Sequence, residues 1–439
     1  MTLASNILTT LLARVALLGL GFISSVMVAR TLGPEGRGLF ALILVLPGLM
    51  KTVALLGFEQ ANAVYAGLEP ENRRALVWQS AAIAVVVGGA ITAAGVGFLA
   101  LDAPGSQALV QGPLWLYLLA LSTVPCGLVV DYWGAILRGM NRIVLLNVAG
   151  VGTTVVGLVL VVALVVGLRL DVTGAVWADW LINAGAVVLM GALLKYVGAW
   201  EKPSFDRSLW GRSARFALPA HGGTVAAYLN YRVDEIIIAS LLPPEQLGFY
   251  VLAVAVAEKL WLLPGAVATP LLPHLTNSHG RDPRLAATIA RHVMLWTGAG
   301  CLLVFALADV LVQVLYSSAF APAVAPLRWL LPGIFMLSIG KVLVAELLAR
   351  EKPRYTVWAS GVAAAVNIAG NLVLVPRMGI SGAAIASSIS YSLLSLMLIR
   401  YYLQESGVPW EALIVRWSDL SAYTAFWRRG LAPIGSGAR

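Results

Sequence analysis

The sequence is poor in charge. Only 12% of its 439 residues are Asp, Glu, Lys or Arg, whereas 59% are hydrophobic. A soluble domain carries about a quarter charged residues, so this chain has too few to cover the two or three soluble domains that its length would make. Its apolar residues form long blocks, which a lipid bilayer tolerates because helices satisfy their own backbone groups there. The composition therefore predicts an all-α integral membrane protein.

Cysteine and histidine are also scarce. The two cysteines, Cys126 and Cys301, lie in apolar blocks, and the four histidines lack the spacing of metal ligands. Neither a disulfide framework nor a zinc site is expected. There is no P-loop, dinucleotide-binding fingerprint or credible nucleophile–base pair, so we expect no metal, no cofactor and no enzymatic activity. The net charge of +9 does not indicate nucleic acid binding, because basic loops are normal in membrane proteins.

Twelve apolar segments are long enough to cross the hydrocarbon core, which takes roughly 20 residues in a helix. The first is too long for the apolar part of a signal peptide and is interpreted as a retained span. Lys and Arg are concentrated in the connections that follow even-numbered spans, which predicts that both termini are cytoplasmic. The predicted spans are 7–29, 39–63, 76–100, 113–134, 143–167, 173–195, 214–241, 247–272, 287–308, 323–347, 355–375 and 380–402.

The chain contains an internal repeat. Residues 29–40 read ARTLGPEGRGLF and residues 239–250 read ASLLPPEQLGFY, and each segment joins the first two spans of its half. Ala, Leu, Pro, Glu and Gly coincide between them. A weaker similarity relates residues 172–175 to residues 380–383. Six spans in each half is an even number, which predicts two parallel six-helix repeats with the substrate path between them.

The repeat divides the chain into four predicted parts. An N-terminal lobe covers 1–196, a polar cytoplasmic linker 197–212, a C-terminal lobe 213–402 and a tail 403–439. In the tail, Trp410, Trp417 and Trp427 recur among apolar residues at helical spacing. This pattern is typical of a helix that lies in the membrane interface, and the last eight residues are expected to be disordered.

Charges within the predicted spans are candidates for function. Such residues are costly in lipid and normally face the bundle interior or water. Lys and Arg bind phosphate and pyrophosphate, so a cationic cavity is one interpretation, and ion pairing between helices is the other. The candidate cavity cations are Arg14, Lys51, Arg232, Lys259 and Lys341.

Acidic residues and helix breakers suggest two further roles. A carboxylate in a low-dielectric environment titrates near neutral pH, so some acids are candidates for coupling transport to a proton or sodium gradient, with ion pairing again the alternative. They are Glu59, Asp234, Glu235 and Glu258. Pro219, Gly222 and Gly223 form a candidate hinge, because proline opens the helical hydrogen-bond ladder and glycine loosens packing; a static kink is the alternative.

Residues 29–42, which read ARTLGPEGRGLFAL, follow an apolar helix that contains Arg14. This segment resembles the opening of the polysaccharide transport family, the Wzx-type oligosaccharide flippases of the multidrug/oligosaccharidyl-lipid/polysaccharide (MOP) superfamily. The similarity extends over the twelve spans and the repeat. It implies a V-shaped pair of six-helix lobes, like those of the MATE transporters, which rock between inward-open and outward-open states.

The resemblance also implies a cargo and a location. The cargo would be an oligosaccharide linked to undecaprenyl pyrophosphate, and the location a bacterial inner membrane. The partners would be this glycan, membrane lipids and other polysaccharide-assembly proteins. Cationic residues line the cavity of such flippases, and in this chain the corresponding helices hold Arg14, Lys51, Arg232 and Lys259.

Three alternatives stay open at this point. A MATE-like drug/cation antiporter would share the fold, but unpaired acids and aromatic residues should dominate its cavity. A membrane polysaccharide polymerase or ligase would need a large external loop, and the predicted external connections are short. A structural scaffold would need neither the repeat nor charges within its spans.

Overall fold

The structure, a computed structural model, describes residues 3–101, 106–262, 264–265, 283–350, 352–416 and 419. This part of the chain consists of helices joined by short turns and contains no strand. Its α-helices are α1 (Leu3–Ala54), α2 (Phe58–Leu68), α3 (Arg73–Ala100), α4 (Ser106–Leu109), α5 (Leu114–Leu121), α6 (Thr123–Gly139), α7 (Ile143–Val161), α8 (Asp171–Tyr196), α9 (Arg207–Leu241), α10 (Pro244–Ala257), α11 (Pro283–Leu315), α12 (Val324–Ala349) and α13 (Pro353–Ser406).

Eight helical segments of the described residues are long and apolar enough to cross a membrane. Two of them, in α1 and α13, are each broken by one glycine with non-helical dihedral angles, at Gly33 and Gly379, and so cover two predicted spans each. The seventh predicted span falls on α9 and the start of the eighth on α10, and neither helix is among the eight; residues 266–272 of the eighth predicted span lie outside the described residues. The all-α membrane fold predicted from composition is confirmed.

The two copies of the repeated motif start helices by the same local chemistry. In the first half, Gly33 ends one helix with a φ of 67°, and Pro34 begins the next. In the second half, Pro244 is the first residue of α10 and Glu245 lies in its first turn. Proline suits the first helical position because its missing N–H would be unpaired there, and an acid in the first turn favours the helix dipole.

These copies pack directly against each other. A Cβ atom added to Gly38 would lie 1.7 Å from the carbonyl oxygen of Pro244, and one added to Gly248 would lie 2.0 Å from that of Pro34. Because only a hydrogen fits at each site, the two backbones are in direct contact. We call the end of the bundle that holds this reciprocal contact the motif end.

A cation adds a second contact between the halves at the motif end. Arg30 donates from Nε to the carbonyl oxygen of Leu315 at 2.8 Å, and from Nη2 to that of Val314. These carbonyl oxygens belong to the last turn of α11, where they have no N–H donor within the helix and carry partial negative charge. Arg30 of the first half therefore caps a helix of the second.

The opposite end, which holds the segment 197–206, is called the linker end. Helix α9 starts there and packs against both halves. Leu209 and Ala217 belong to a buried cluster otherwise built from the first half, whereas Ile237 and Ile238 belong to a cluster built mainly from the second. Residues 219–223 lie between these two regions of α9.

The tail differs from the predicted interfacial helix as far as the structure describes it. A 3-10 turn, Trp410–Leu413, follows α13, and Trp417 and Trp427 lie outside the described residues. Arg291 of α11 forms an ion pair with Asp419 at 2.8 Å and donates to the carbonyl oxygen of Ala412 at 2.6 Å. The start of the tail is thus held against α11.

Replacement of Gly38 by alanine should open the motif end. The added methyl group overpacks the backbone contact, and overpacking costs about 1–3 kcal/mol, so the closed arrangement should lose roughly 5- to 150-fold in relative population. Spin labels at Arg169→Cys and Ala319→Cys, two exposed positions at this end, would report the distance between the halves in a background without Cys126 and Cys301.

Gly152→Ala is the matched control, because a Cβ atom at Gly152 would meet nothing within 4 Å. It adds the same methyl group within helix α7 and should leave the distance distribution unchanged. An unchanged distribution in Gly38→Ala as well would contradict the close backbone contact.

Candidate functional site

A polar pocket lies in the first half. Lys51 Nζ is 3.0 Å from the Asp131 carboxylate, and the two side chains are each 37% exposed. The Lys51 stem lies over Gly127, where a Cβ atom would come within 2.7 Å of it. The pocket has a volume of about 260 Å³, and its polar lining comes from Lys51, Thr123, Asp179 and Asn183.

The second half holds a larger charged network. Arg232 donates from Nη1 to Glu235 at 2.7 Å and from Nη2 to Glu258 at 3.1 Å. Glu258 begins a 3-10 turn that follows α10, which brings it beside Arg232 on α9. One guanidinium therefore bridges two carboxylates from different helices, as its planar fork of donors allows.

Aromatic rings surround a second cation of this half, Lys341. Lys341 on α12 lies 4.5 Å from the ring centroid of Trp261 and 5.6 Å from that of Tyr231. The two rings also contact each other and Tyr391, with centroid distances between 5.4 and 5.9 Å. Lys341 is thus stabilised by ring faces and by the nearby Glu258 carboxylate.

Asp234 is separated from this network although its chain neighbours belong to it. Its side chain is 1% exposed and accepts hydrogen bonds from Ser387 Oγ at 2.9 Å and from Tyr250 Oη. Asn230, one helical turn away, accepts at its backbone oxygen from Asn367 Nδ2 at 2.7 Å. A buried polar seam therefore joins α9 to α10 and α13.

The other candidate residues from the sequence are not ion-paired to these two groups of charges in the described part of the chain. Among the described residues Lys259 forms no ion pair. Glu59 lies on α2, and its Oε2 atom is buried without a hydrogen-bond partner in the described part of the chain. The side chain of Arg14 lies outside the described residues. The acid nearest to Lys341 in sequence, Glu346, pairs with Arg350 at 2.7 Å.

Arg37 is a cation that sequence reasoning placed in a connection between spans. The structure places it in the first turns of the helix that starts at Pro34, where it is half-buried near Phe40, Tyr316 and Glu235. Of the described carboxylates, none forms an ion pair with Arg37. The signal that could have found it is the Gly33-Pro34 pair, which starts this helix five residues earlier than the predicted span.

The candidate hinge lies within continuous helix. Pro219 is inside α9, and the helix has no dihedral break there. A Cβ atom at Gly222 would meet nothing within 4 Å, whereas one at Gly223 would lie 2.9 Å from Val357 of α13. This stretch joins the two packing regions of α9 and is therefore placed where bending would move one half relative to the other.

Ion pairs hold the linker to the first half. Arg212 binds Glu69 through two hydrogen bonds of 2.6 and 2.9 Å. Arg74 pairs with Glu201 at 2.9 Å, and Trp78 donates to the backbone oxygen of Glu201 at 2.9 Å. The Arg212 guanidinium, with help from Asn72, lowers the pKa of the Glu69 carboxyl below its ordinary value.

The described residues thus hold two charged regions, one around Lys51 and one around Arg232. A family model described as "Polysaccharide biosynthesis protein" matches residues 3–276. The chain belongs to this family. The resemblance to a polysaccharide family that the motif predicts is thereby confirmed.

One curated relative is the "Probable low-salt glycan biosynthesis flippase Agl15" of Haloferax volcanii, which is 24% identical over 247 residues. The match covers 54% of this chain and 52% of the relative, so the chain spans about half the length of the curated relative it matches.

Two solved structures share the fold over nearly the whole chain. The lipid II flippase MurJ in an inward closed conformation has a TM-score of 0.76 at 13% identity and covers 98% of this chain and 93% of its own. An inward-facing MATE family multidrug transporter has a TM-score of 0.68 at 15% identity and covers 88% and 94%. At these identities the likeness concerns the fold, and it confirms the predicted MOP-type architecture.

Acid should loosen the linker through Glu69. Because the folded-state pKa of Glu69 is lowered, its pair with Arg212 stabilises the docked linker above the ordinary carboxyl pKa and is lost as the pH falls through the lowered value. Glu69→Gln should raise amide hydrogen exchange in residues 197–206 roughly two- to five-fold at pH 7, a small effect because the pair is exposed. Mass spectrometry of peptides from this segment at pH 4 to 7, corrected for intrinsic exchange, would measure it.

Glu71→Gln is the control for this prediction, since Glu71 is exposed on the neighbouring 3-10 turn and forms no ion pair among the described residues. Equal exchange in the two variants would show that the Arg212 pair does not hold the linker.

Proposed function

We propose that this protein is a flippase that moves a polyprenyl-pyrophosphate-linked oligosaccharide from the cytoplasmic to the outer leaflet of a bacterial inner membrane. The undecaprenyl carrier is the one we infer. Both termini and the linker end would face the cytoplasm, and the motif end would face the outside. Family membership and the MurJ-like fold support transport over an enzymatic role.

A cationic excess where Arg37 of the first half meets the charged network of the second half carries the proposal. Charges form a row from Arg37 through Glu235, Arg232 and Glu258 to Lys341. Three cations face two carboxylates in this row, and Lys259 lies next to Glu258 in the chain. A pyrophosphate would supply the negative charge that this row of residues lacks. Hydrogen bonds between such an anion and Lys or Arg are charge-assisted and stronger than those between neutral groups.

Pairs that already exist would serve as switches. The side chains of Lys51, paired with Asp131, and of Arg232, paired with Glu235 and Glu258, are both partly exposed. An incoming pyrophosphate would therefore compete with these carboxylates for the same donors. Arg14 belongs to the first predicted span and is proposed to line the same cavity. Exchange of partners keeps each cation paired, which avoids the large cost of an unpaired cation in a low-dielectric site.

Coupling to an ion gradient is proposed for the acids. Asp234 is buried among hydroxyl groups and has no cation within ion-pair distance among the described residues, which makes it our first candidate for binding a proton or a sodium ion. Glu59 is the second, because one of its oxygens is unpaired. Glu235 and Glu258 would couple indirectly, through Arg232. Bending at Pro219, Gly222 and Gly223 would transmit the change along α9.

One observation favours a second function, a MATE-like drug/cation antiporter. The pocket of the first half is lined by one acid, Asp179, and one cation, Lys51, whose charge is already compensated by its ion pair with Asp131. Such a pocket suits an organic cation better than a pyrophosphate. The two functions therefore predict opposite cargo charges, and an assay can separate them.

Neutralising Lys341 should impair lipid transport. A hydrogen bond to a charged group contributes about 1.5–3 kcal/mol, so Lys341→Gln should weaken binding of the pyrophosphate roughly 10- to 150-fold. The measurement is translocation of a fluorescent undecaprenyl-pyrophosphate glycan in proteoliposomes, with Lys259→Gln and Arg37→Gln tested beside it. Purified variants should elute as single species with wild-type helicity.

Arg328→Gln is the matched control. Arg328 also lies in a predicted span, but it pairs with Asp309 at 2.6 Å at the end of α11 and should tolerate the change. Normal transport by all three cavity variants would assign their charges to structure alone. A wild-type protein that moves no lipid but exchanges organic cations for protons or sodium would establish the antiporter instead.

A further inference from the structure

An open groove lies between the halves at the linker end. It has a volume of about 860 Å³, and helices of both halves form its walls. One wall comes from α2 and from the start of α9, which packs in the core of the first half, and the other wall comes from α13. The side chains that form these walls include Gln60, Phe216, Pro219, Tyr355, Trp358 and Tyr401.

Apolar and aromatic side chains make up most of the groove lining. Phe216 is 46% exposed and Trp358 is 64% exposed, and both residues fall inside predicted spans. Their exposed rings therefore meet lipid rather than water. On the α13 wall, the rings of Tyr355 and Tyr401 stack with their centroids 4.4 Å apart, which makes a flat aromatic surface. The groove thus offers apolar contacts on both walls and is open to the bilayer.

An arginine lies where the groove reaches the membrane interface. Arg354 lines the groove and directly precedes the predicted span 355–375. A second arginine, Arg215, directly precedes the lining residue Phe216 in α9. Both arginines are exposed, and neither forms an ion pair among the described residues. An anion at this level of the groove would therefore meet uncompensated positive charge.

Arg354 is positioned by the aromatic wall rather than by an acid. Its guanidinium lies 5.0 Å from the ring centroid of Tyr355. The Tyr355 hydroxyl donates to Glu405 at 2.7 Å, and the Glu405 carboxylate already pairs with Lys352 at 3.3 Å. The acid nearest to Arg354 is thus compensated by another cation, which leaves the charge of Arg354 to a ligand.

The cargo of the proposed flippase has two parts that need opposite surroundings. Its pyrophosphate and sugars need a polar path between the halves, whereas its polyprenyl chain is apolar and is costly to expose to water. Because the two parts are covalently joined, the chain must leave this path through an opening between the halves that reaches the bilayer. The groove meets that requirement, since both halves form it and lipid reaches its lining.

We propose that this groove holds the polyprenyl chain of the cargo as it loads from the cytoplasmic leaflet, and that Arg354 binds the phosphate at the end of the chain. The planar guanidinium suits phosphate oxygens, and the rings of Phe216 and Trp358 bury the apolar chain beside it. The inference rests on the proposed function and adds an entry site that is separate from the cavity cations.

Photo-crosslinking would locate the chain. The probe is undecaprenyl phosphate with a diazirine in its polyprenyl chain, and it carries no sugar, so binding is measured apart from transport. Protein in nanodiscs would be irradiated with the probe, and the crosslinked peptides would be identified by mass spectrometry. Crosslinks should fall around Phe216 and Trp358. An excess of unlabelled undecaprenyl phosphate should suppress them, whereas the same excess of phosphatidylglycerol should not.

Two variants test the wall and the mouth of the groove. Gln60 is exposed on α2, so Gln60→Trp should fill the groove, and exclusion of about two CH2 groups of the chain weakens binding roughly ten-fold. Arg354→Gln should weaken probe binding roughly five-fold, the effect of one cation beside an anionic lipid. Leu68→Trp and Arg142→Gln are the matched controls and should bind like the wild type, because both positions are exposed and neither lines the groove.

Crosslinks spread over the whole lipid-facing surface would overturn the proposal, as would equal suppression by phosphatidylglycerol or unchanged binding in both groove variants. Crosslinks confined to the groove in a protein that transports no glycan would support the polyprenyl site and refute the flippase. Glycan transport without crosslinks in the groove would support the flippase and refute the site.

Discussion

The backbone contact between the two copies of the repeated motif determines how the halves of this protein are arranged. Gly38 and Gly248 each face a carbonyl oxygen of the other copy, at distances that leave no room for a side chain. Contacts of this kind do not tolerate sliding, because a shift of one residue would bring a Cβ atom into backbone. The position of α9 and α10 beside the second helix of α1, and hence of every charge between them, follows from this register.

Low dielectric surroundings then decide which charges come together. An unpaired charge is expensive within a membrane, so each guanidinium or ammonium group takes the best partner that the fold brings within reach. Arg232 takes two carboxylates, Lys51 takes one, and Lys341 takes aromatic faces instead. The excess of cations along the row from Arg37 to Lys341, and the excess of acids around Lys51, remain after these pairings. A charged substrate can bind to this uncompensated charge.

The sequence predicts the helices and the repeat well, because both depend on local patterns. Apolar length identifies the spans, and the recurrence of proline, glutamate and glycine identifies the duplication. The ion-pair partners of the charged residues cannot be predicted in the same way. Lys51 pairs with Asp131, and Glu258 with Arg232, across helices that lie far apart in the chain, and no local spacing encodes such contacts. The sequence pattern misplaces Arg37 because the helix that starts at Pro34 depends on Gly33 adopting a positive φ.

Helix α9 couples the two halves mechanically. Its first turns pack in the core of the first half and its last turns in that of the second, so the halves cannot rock apart as two independent bodies. Opening the linker end must either unpack the start of α9 or bend the helix, and Pro219 lies where bending costs least, because proline already lacks a ladder hydrogen bond. His221 is half a turn further on and binds the first half. Pro219, where α9 can bend, and His221, which holds α9 to the first half, are therefore neighbours, so one local change at this point would affect both.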